Sequence, residues 1–557
     1  MKKANLENNK GITLIALIIT IIVLLILAGV TLSMVMGDSG IFKKANNAKN
    51  ATEESNIIED AKLAVMNEQT EYYSTNTSGK SFKQYLEEKF NGEYKTSDNA
   101  KLSYNGGNLI SYNKDGKETI LLIDDQNKIS ISSKIVDNNN TYITNSDGTL
   151  IIVSTAENET EITIPSEING MPVVSIDANF AQNSKDTLTK IIMPDTIKNI
   201  GDSAFEGCYN VTEIKFSNTL EKIGNNAFEN CGNSIAKLEI PDTVNTIGDF
   251  AFDKYGSSNI KELYIGKNVN KIGTGAFSIN SLQKIVVSSE NNTYKSIDGV
   301  LYSKSGNTLI QYPVSKDDIT TFEIPNEVKT IGQYAICRNG TLTSVTMSNS
   351  VTKIAKGAFS ECFNLANVTL SPNVKTIEKN TFEESGITQI NLANVNKIED
   401  EAFIKCKLTE VTLPQNINFV GNRAFSKCSK LTKAVINANI TTISNAMFEN
   451  CSKLSNVTIS SRINTFEEKA FKNCEALTLN LPETLTTVKK NSVLGPKISN
   501  VPNNLKNIEN ESFGDNISED LKIKIQAINP DGIIEYTKSG TPDDYVYKPI
   551  EYIYDEQ

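Results

Sequence analysis

The stretch LTSVTMSNSVTKIAKGAFSECFN (Leu342–Asn364) runs straight into LANVTLSPNVKTIEKNTFEES (Leu365–Ser385), and the two align offset for offset. Leu342, Val345, Met347, Val351, Ile354 and Phe359 stand in the first where Leu365, Val368, Leu370, Val374, Ile377 and Phe382 stand in the second. Val-x-Met and Val-x-Leu alternate as a short strand does, inward and then outward. The residues around Ala-Phe turn a corner. A unit of this size cannot close a core alone. Stacked on copies of itself, each apolar offset becomes a ladder of like side chains.

The phrase recurs on both sides. It reads IGDSAF (Ile200–Phe205), IGNNAF (Ile223–Phe228), IGDFAF (Ile247–Phe252) and IGTGAF (Ile272–Phe277). Later copies are IAKGAF, IEKNTF, IEDEAF, VGNRAF, ISNAMF and FEEKAF, and the faded VKKNSV and IENESF close the series. The ring position falls at Phe205, Phe228, Phe252 and Phe277, then at Ile336, Phe359, Phe382, Phe403, Phe425, Phe448, Phe471, Val493 and Phe513, with a weaker copy around Ile176–Phe180. The period predicts a repeat solenoid over 137–516 with one short parallel strand per coil, the strands forming one long sheet. At ~4.8 Å per strand, thirteen coils would run roughly 60 Å. The single long step, from Phe277 to Ile336, holds turn signals at Asp298-Gly299 and Ser305-Gly306-Asn307. It predicts a β-hairpin insert at about 284–325 that elaborates one coil.

These phrases, with SIDGVLYSKSGNTLIQYP and the lead-in DGTLIIVSTAENETEITIPSEINGMPVVSI, resemble BspA-type leucine-rich repeats. The resemblance covers about Asn138 to Asn516. It implies a leucine-rich-repeat-like fold and a place among bacterial adhesins and cell-surface proteins.

Seven cysteines (Cys208, Cys231, Cys362, Cys406, Cys428, Cys451 and Cys474) lie three residues after the ring position, and Cys337 directly follows Ile336. Equal offsets predict a buried stack of free thiols packed as small apolar residues. Side chains stacked in parallel are a poor start for disulfide geometry.

The chain has no histidine, which excludes Ser-His-Asp and Cys-His nucleophile systems and the His-bearing zinc sites. Its net charge of −11, without a basic run, argues against a nucleic-acid partner. No phosphate loop, dinucleotide fingerprint or Cys-x-x-Cys pair occurs. Asn145-Ser146-Asp147-Gly148 reads as a hairpin turn rather than a calcium loop. Glu399-Asp400-Glu401 falls at a corner, where solvated charge is expected. The reading is therefore of no catalytic residue, no metal and no cofactor, and not an enzyme.

What remains is surface. The middle residues of the strand triplets face out: Lys215, Glu239, Tyr264, Glu323, Thr346, Thr369, Thr412 and Thr458. They form a candidate binding face for an unknown protein or glycan ligand, since solenoids bind through such extended faces. Threonine is also simply a good exposed strand residue.

The N-terminal part reads differently. Residues 1–11 are a basic leader. Ile12–Met36 is an uncharged apolar run long enough to cross a bilayer as a helix, and Lys2, Lys3 and Lys10 place its start in the cytoplasm. An amphipathic extension over 37–70, a small α+β head over 71–136 and, after the repeats, a C-terminal cap or tail over 517–557 complete the organisation. Lys10-Gly11-Ile12-Thr13-Leu14-Ile15 resembles the junction of type IV prepilins and pseudopilins. That resemblance implies cleavage between Gly11 and Ile12 by a prepilin peptidase. Ala16 stands where the family carries the glutamate used in filament assembly. A plain uncleaved anchor is the main alternative, and a conventional cleaved signal, for which no clean exit motif stands here, a distant third. Two functions follow: an extracellular binding or adhesion protein held at the bacterial cell membrane, or a minor pilin or pseudopilin subunit carrying the array as passenger.

Overall fold

The computed structural model describes residues 41–75, 80–90, 95–97, 100–104, 108–114, 116–123, 127–256, 258–316 and 319–534. The leader, the apolar run and the Gly11–Ile12 junction lie outside these residues. Among the described residues no helix is long and apolar enough to cross a membrane. The chain divides into two compact units, with the boundary between Ser133 and Lys134.

The first unit opens with helix α1 (Ile41–Thr75) and helix α2 (Phe82–Phe90). Five antiparallel strands follow in sequential order: β1 (Lys95–Ser97), β2 (Ala100–Tyr104), β3 (Leu109–Lys114), β4 (Lys117–Ile123) and β5 (Ile129–Ser132). On α1, Ala61, Val65 and Tyr72 recur at helical spacing and are buried with Phe82, Leu86 and Phe90 of α2 and with Leu102, Ile110 and Leu121 of the sheet. Glu68, on the same stripe, is buried against the Lys89 ammonium at 2.7 Å.

The second unit is the solenoid, and most coils carry two short parallel strands rather than the one expected; the coil between Thr376–Ile377 and Lys397–Ile398 carries only the second. The first is the Val-x-Leu triplet. Its ladder breaks into groups: Glu161–Thr163, Lys190–Ile192 and Glu213–Lys215; Lys237–Ile240, Glu262–Ile265 and Lys284–Val287; Thr321–Glu323, Ser344–Thr346 and Asn367–Thr369; Glu410–Leu413, Lys433–Ile436 and Asn456–Ile459; Thr478–Leu479 and Lys497–Ile498. The expected single long sheet is thus a series of small ones. The second strand is the pair before the corner, such as Lys222–Ile223 and Thr246–Ile247, which bonds to its copies in neighbouring coils. Two residues are too few to show alternation, so the period could not reveal it.

The corner itself is built from backbone. A left-handed residue sits two before the ring position in coil after coil: Ser203, Asn226, Phe250, Gly275, Tyr334, Gly357, Asn380, Glu401, Arg423, Ala446, Lys469, Asn491 and Glu511. A second often sits two after it, as at Gly207, Arg338, Lys405 and Lys427. Between them the Phe side chain points inward. Phe205, Phe228, Phe252 and Phe277 stack with centroids 5.2, 5.2 and 5.9 Å apart. After the insert Phe359, Phe382, Phe403, Phe425, Phe448 and Phe471 stack at 5.3–5.6 Å. Near-parallel rings at this spacing add to plain burial.

The insert lies within a coil whose strands are Lys284–Val287 and Thr308–Gln311. Tyr294–Ile297 and Val300–Ser303 form the hairpin, turning at Asp298 and Gly299, both with positive φ. Both ends of the solenoid are covered. Antiparallel strands Lys134–Asp137 and Asn140–Thr144 shield the first coil, and the Asn145–Thr149 segment between strands is the hairpin turn anticipated. Helix α3 (Glu519–Ile528) buries Ile525 against the last coil, and Ile533–Ile534 pairs with Phe513–Gly514.

Candidate functional site

The outward positions of the triplets come into register as a stripe. Glu239 pairs with Tyr264 and Tyr264 with Val286. Glu323, Thr346 and Thr369 are consecutive partners. Thr412 and Thr458 flank Val435. Lys215 pairs with Ile192. Seven of these eight residues are exposed, and Tyr264 is half-buried. The residues at i and i+2 of a strand share one face, so the residue just before each Val-x-Leu triplet extends the stripe. There the charges alternate between coils: Glu161, Lys190 and Glu213, then Lys237, Glu262 and Lys284, then Glu410 and Lys433. Lys190 meets Glu213 at 3.0 Å and Lys433 meets Glu410 at 3.4 Å. The face is a mosaic of both signs from 161 to 287, a hydroxyl- and amide-rich band from 321 to 369, and mixed again beyond. Its polar groups are suited to many weak contacts along a line rather than to chemistry at a point.

The corners hold the groups that sequence reasoning missed. Glu399-Asp400-Glu401, expected as solvated charge, is half-buried and ties coils together. Glu399 accepts from the Lys379 N–H at 3.2 Å, Asp400 from the Asn422 N–H at 2.7 Å, and Glu401 pairs with Arg423 at 3.0 Å. Earlier, the Asp202, Asn225 and Asp249 side chains each accept the N–H of the matching residue one coil on, at 2.7, 2.8 and 2.6 Å.

Around the insert the corner becomes a buried charged cluster. Arg338 pairs with Asp253, both almost wholly buried, and donates to the Ser278 carbonyl at 2.7 Å. Its guanidinium lies 5.3 Å from the centre of the Tyr255 ring. Lys254 donates to the Cys231 carbonyl at 2.6 Å, and burial pushes its ammonium down to about 8. Burial, reinforced by Glu206, raises Glu229 to about 7. Burial, reinforced by Glu384, raises Glu383 to about 7. The sequence held Asp253-Lys254 directly after Phe252, one coil before the long step, and Arg338 two residues after Ile336 beyond it. The Arg338–Asp253 pair joins coils across the insert.

All eight cysteines are free and buried. In five coils the thiol donates to the carbonyl of the ring residue one repeat back: Cys362 to Ile336 at 3.0 Å, Cys406 to Phe382 at 2.8 Å, Cys428 to Phe403 at 3.1 Å, Cys451 to Phe425 at 3.2 Å and Cys474 to Phe448 at 3.0 Å. Ser385 holds the same offset after Phe382 and contacts Cys406 at 3.2 Å. Among the described residues no group of three or more histidine, cysteine, aspartate or glutamate side chains is placed to hold a metal ion.

Comparison with known proteins identifies the repeats. The family described as BspA type leucine rich repeat region matches residues 175–306, 311–432, 375–498 and 420–530. Among solved structures, a leucine rich cell surface protein from Faecalibacterium prausnitzii A2-165 is 26% identical, with 59% of this chain and 95% of that chain covered and a TM-score of 0.40. A leucine-rich repeat protein from Eubacterium ventriosum ATCC 27560 is 22% identical, covering 74% and 99%, with a TM-score of 0.42. The pneumococcal vaccine antigen PcpA is 20% identical, covering 73% and 99%, with a TM-score of 0.42. No curated protein matches this chain.

Proposed function

This chain belongs to the BspA-type leucine-rich repeat family, and we propose that it is a membrane-anchored protein of the bacterial cell surface that binds a protein or glycan through the strand face of its repeats. The observation that carries the reading is the stripe. Lys215, Glu239, Glu323, Thr346, Thr369, Thr412 and Thr458 are exposed at equivalent positions of a parallel ladder. An inward, apolar remainder leaves these side chains free of any packing task. The uncharged run Ile12–Met36 supplies the anchor, and the leader lysines set the orientation. No residue is assigned a catalytic role, and no cofactor or nucleic acid is required.

The test is a screen of glycan and protein arrays with the full chain in detergent. A hit should weaken at least about tenfold, or ~1.4 kcal/mol, when Glu239→Lys and Tyr264→Ala are combined. Substitutions on the second-strand side, such as Thr246→Lys, should leave it unchanged. Equal losses from both faces would refute the assignment.

A second reading has its own support. Lys10-Gly11-Ile12 has the form of a prepilin junction, and α1, 35 residues long, leads into an antiparallel sheet. On this reading the mature chain begins at Ile12 and the molecule is a minor pilin or pseudopilin. N-terminal sequencing that recovers Met1 excludes it. Immunogold label along filaments, rather than diffusely over the cell, favours it over the first.

A further inference from the structure

The corners are joined by a repeated pair of backbone hydrogen bonds, and one corner lacks both. In each coil the left-handed residue and the ring residue donate their N–H groups to two carbonyls of the next coil. Phe250 donates to Thr274 and Phe252 to Ala276, both at 2.9 Å. Tyr334 donates to Lys356 at 3.2 Å and Ile336 to Ala358 at 2.9 Å. The pattern holds from Ser203 and Phe205 through Glu511 and Phe513. At the corner before the insert, Gly275 and Phe277 donate to no protein group among the described residues.

The reason is a deletion. From the strand residue to the ring position an ordinary corner takes five steps, as from Ile331 to Ile336. In the coil of the insert the strand residue is Leu309, and Tyr312 already occupies the ring position, donating to the Ala335 carbonyl at 2.7 Å. Two corner residues are missing. In their place is a half-open cavity of about 170 Å³, lined by Gly275 and Phe277 on one side and Gln311 and Gln333 on the other. Thr274 and Gln333 span it with a side-chain hydrogen bond of 3.1 Å.

We propose that this cleft is a binding site for a short segment of a partner polypeptide, which supplies the missing corner. The chemistry of the occupant follows from the donors. Two N–H groups two residues apart are met in the other corners by main-chain carbonyls two residues apart. A peptide presents that pair, and small side chains between the carbonyls suit the volume. Backbone donors left without acceptors are costly when sheltered from water, so an occupant with matching carbonyls gains what solvent supplies poorly. The mode is that of strand addition, in which main-chain bonds give affinity, applied to a corner rather than an edge. The proposal rests on the ladder gap alone and stands apart from the strand face.

The test uses the full chain and an acetylated, amidated peptide of sequence KGAFSE, copied from Lys356–Glu361. Binding is read by titration, and amide exchange is read at Gly275 and Phe277. The expected result is saturable binding with exchange at those two amides slowed at least tenfold, and with the amides of Phe252 and Phe359 unchanged. A variant with Gly-Ala inserted between Gln311 and Tyr312 restores the corner in the chain itself. It should fold, protect Gly275 and Phe277 without peptide, and lose peptide binding. If that variant misfolds, Gln333→Ala in the intact chain provides the second measure: removing the side-chain span should leave binding intact or tighter. Four outcomes would overturn the proposal: slow exchange at both amides before peptide is added, no saturable binding, unchanged binding to a folded insertion variant, or equal protection by acetate alone.

Discussion

At the scale of the residue, two positions of the repeat place opposite demands on the backbone. The position after the strand isoleucine brings coil against coil. At Gly248 an added Cβ would lie 2.5 Å from the Asn225 nitrogen. Gly248→Ala should therefore cost about 1–3 kcal/mol, as overpacking does, measured by urea denaturation. The left-handed corner positions instead are mostly filled by residues that pay for a positive φ. Lys427 has φ 60°, and burial together with Lys405 and Arg423 pushes its ammonium down. Lys427→Gly should stabilise the fold by about 1 kcal/mol, since glycine adopts this conformation without the Cβ penalty. A loss of stability there would mean that its side-chain contacts outweigh the strain. The buried carboxyls give a pH signature. Glu383 ionises near 7 in the fold, against 4.5 when free, because burial and Glu384 disfavour its charge while Asn380 offsets this in part. Between those values the folded state keeps a proton that the unfolded state has released, so this group's contribution to stability falls as pH rises. Glu229 acts in the same window. Glu383→Gln should match the parent at pH 4.5 and exceed it at pH 7.5 by on the order of 1 kcal/mol, after allowance for solvent screening. A variant advantage that is equal at both pH values would remove the carboxyl from the account.

At the scale of the element, the corner with its thiol ladder is the unit that repeats most faithfully. Burial raises the thiols of Cys362, Cys406 and Cys451 to about 12, so neither exposure nor thiolate character favours reaction. Maleimide labelling of the native chain should modify none of the eight cysteines within the time that labels all of them in denaturant. One or two labelled natively would locate a coil that opens locally. Much of this element was legible beforehand. Identical spacing from Phe to Cys announced one stack, and alternation in Val-x-Leu announced an inward and an outward side. The second strand was not legible, because a pair such as Thr246–Ile247 carries no period. Nor were the left-handed positions, which Ser203, Phe250, Arg423 and Ala446 fill with no common chemistry. Seven of the eight outward residues of the stripe are exposed, whereas the Asp253–Arg338 pair was invisible because its partners are 85 residues apart. The shortened corner was countable, three steps from Leu309 to Tyr312, but the hairpin before it disguised the register.

At the scale of the repeat unit as a whole, the insert divides what the period would have made continuous. One apolar core runs from Tyr142 to Leu301 and a second from Val300 to Ile525, so the inserted hairpin turns Tyr294 and Leu301 into one and Val300 and Tyr302 into the other. The ring stack stops at Phe277 and restarts at Phe359, and the second-strand ladder stops at Lys271–Ile272. What crosses the divide is mostly polar: the Arg338–Asp253 pair, the Thr274–Gln333 bond and the Ser278–Cys337 contact at 3.3 Å, beside one edge-on ring contact of Phe250 with Tyr334 at 5.9 Å. In a solenoid, stability is a sum of coil terms and neighbour terms, and the neighbour term here lacks the stacked inward Phe pair that serves elsewhere. Loss should therefore spread within a block and fade at the insert. Phe228→Ala removes a ring with two stacked neighbours, at a cost of about 3–5 kcal/mol. Hydrogen exchange should quicken at amides from about 176 to 285 and stay near parental rates from about 359 to 513. Phe425→Ala should do the reverse. Asp253→Asn, which breaks the buried pair, should widen the separation further by weakening the link rather than either block. If either ring substitution quickened exchange equally along all the coils, the two cores would be one cooperative body and the polar seam as strong as the stacks it interrupts.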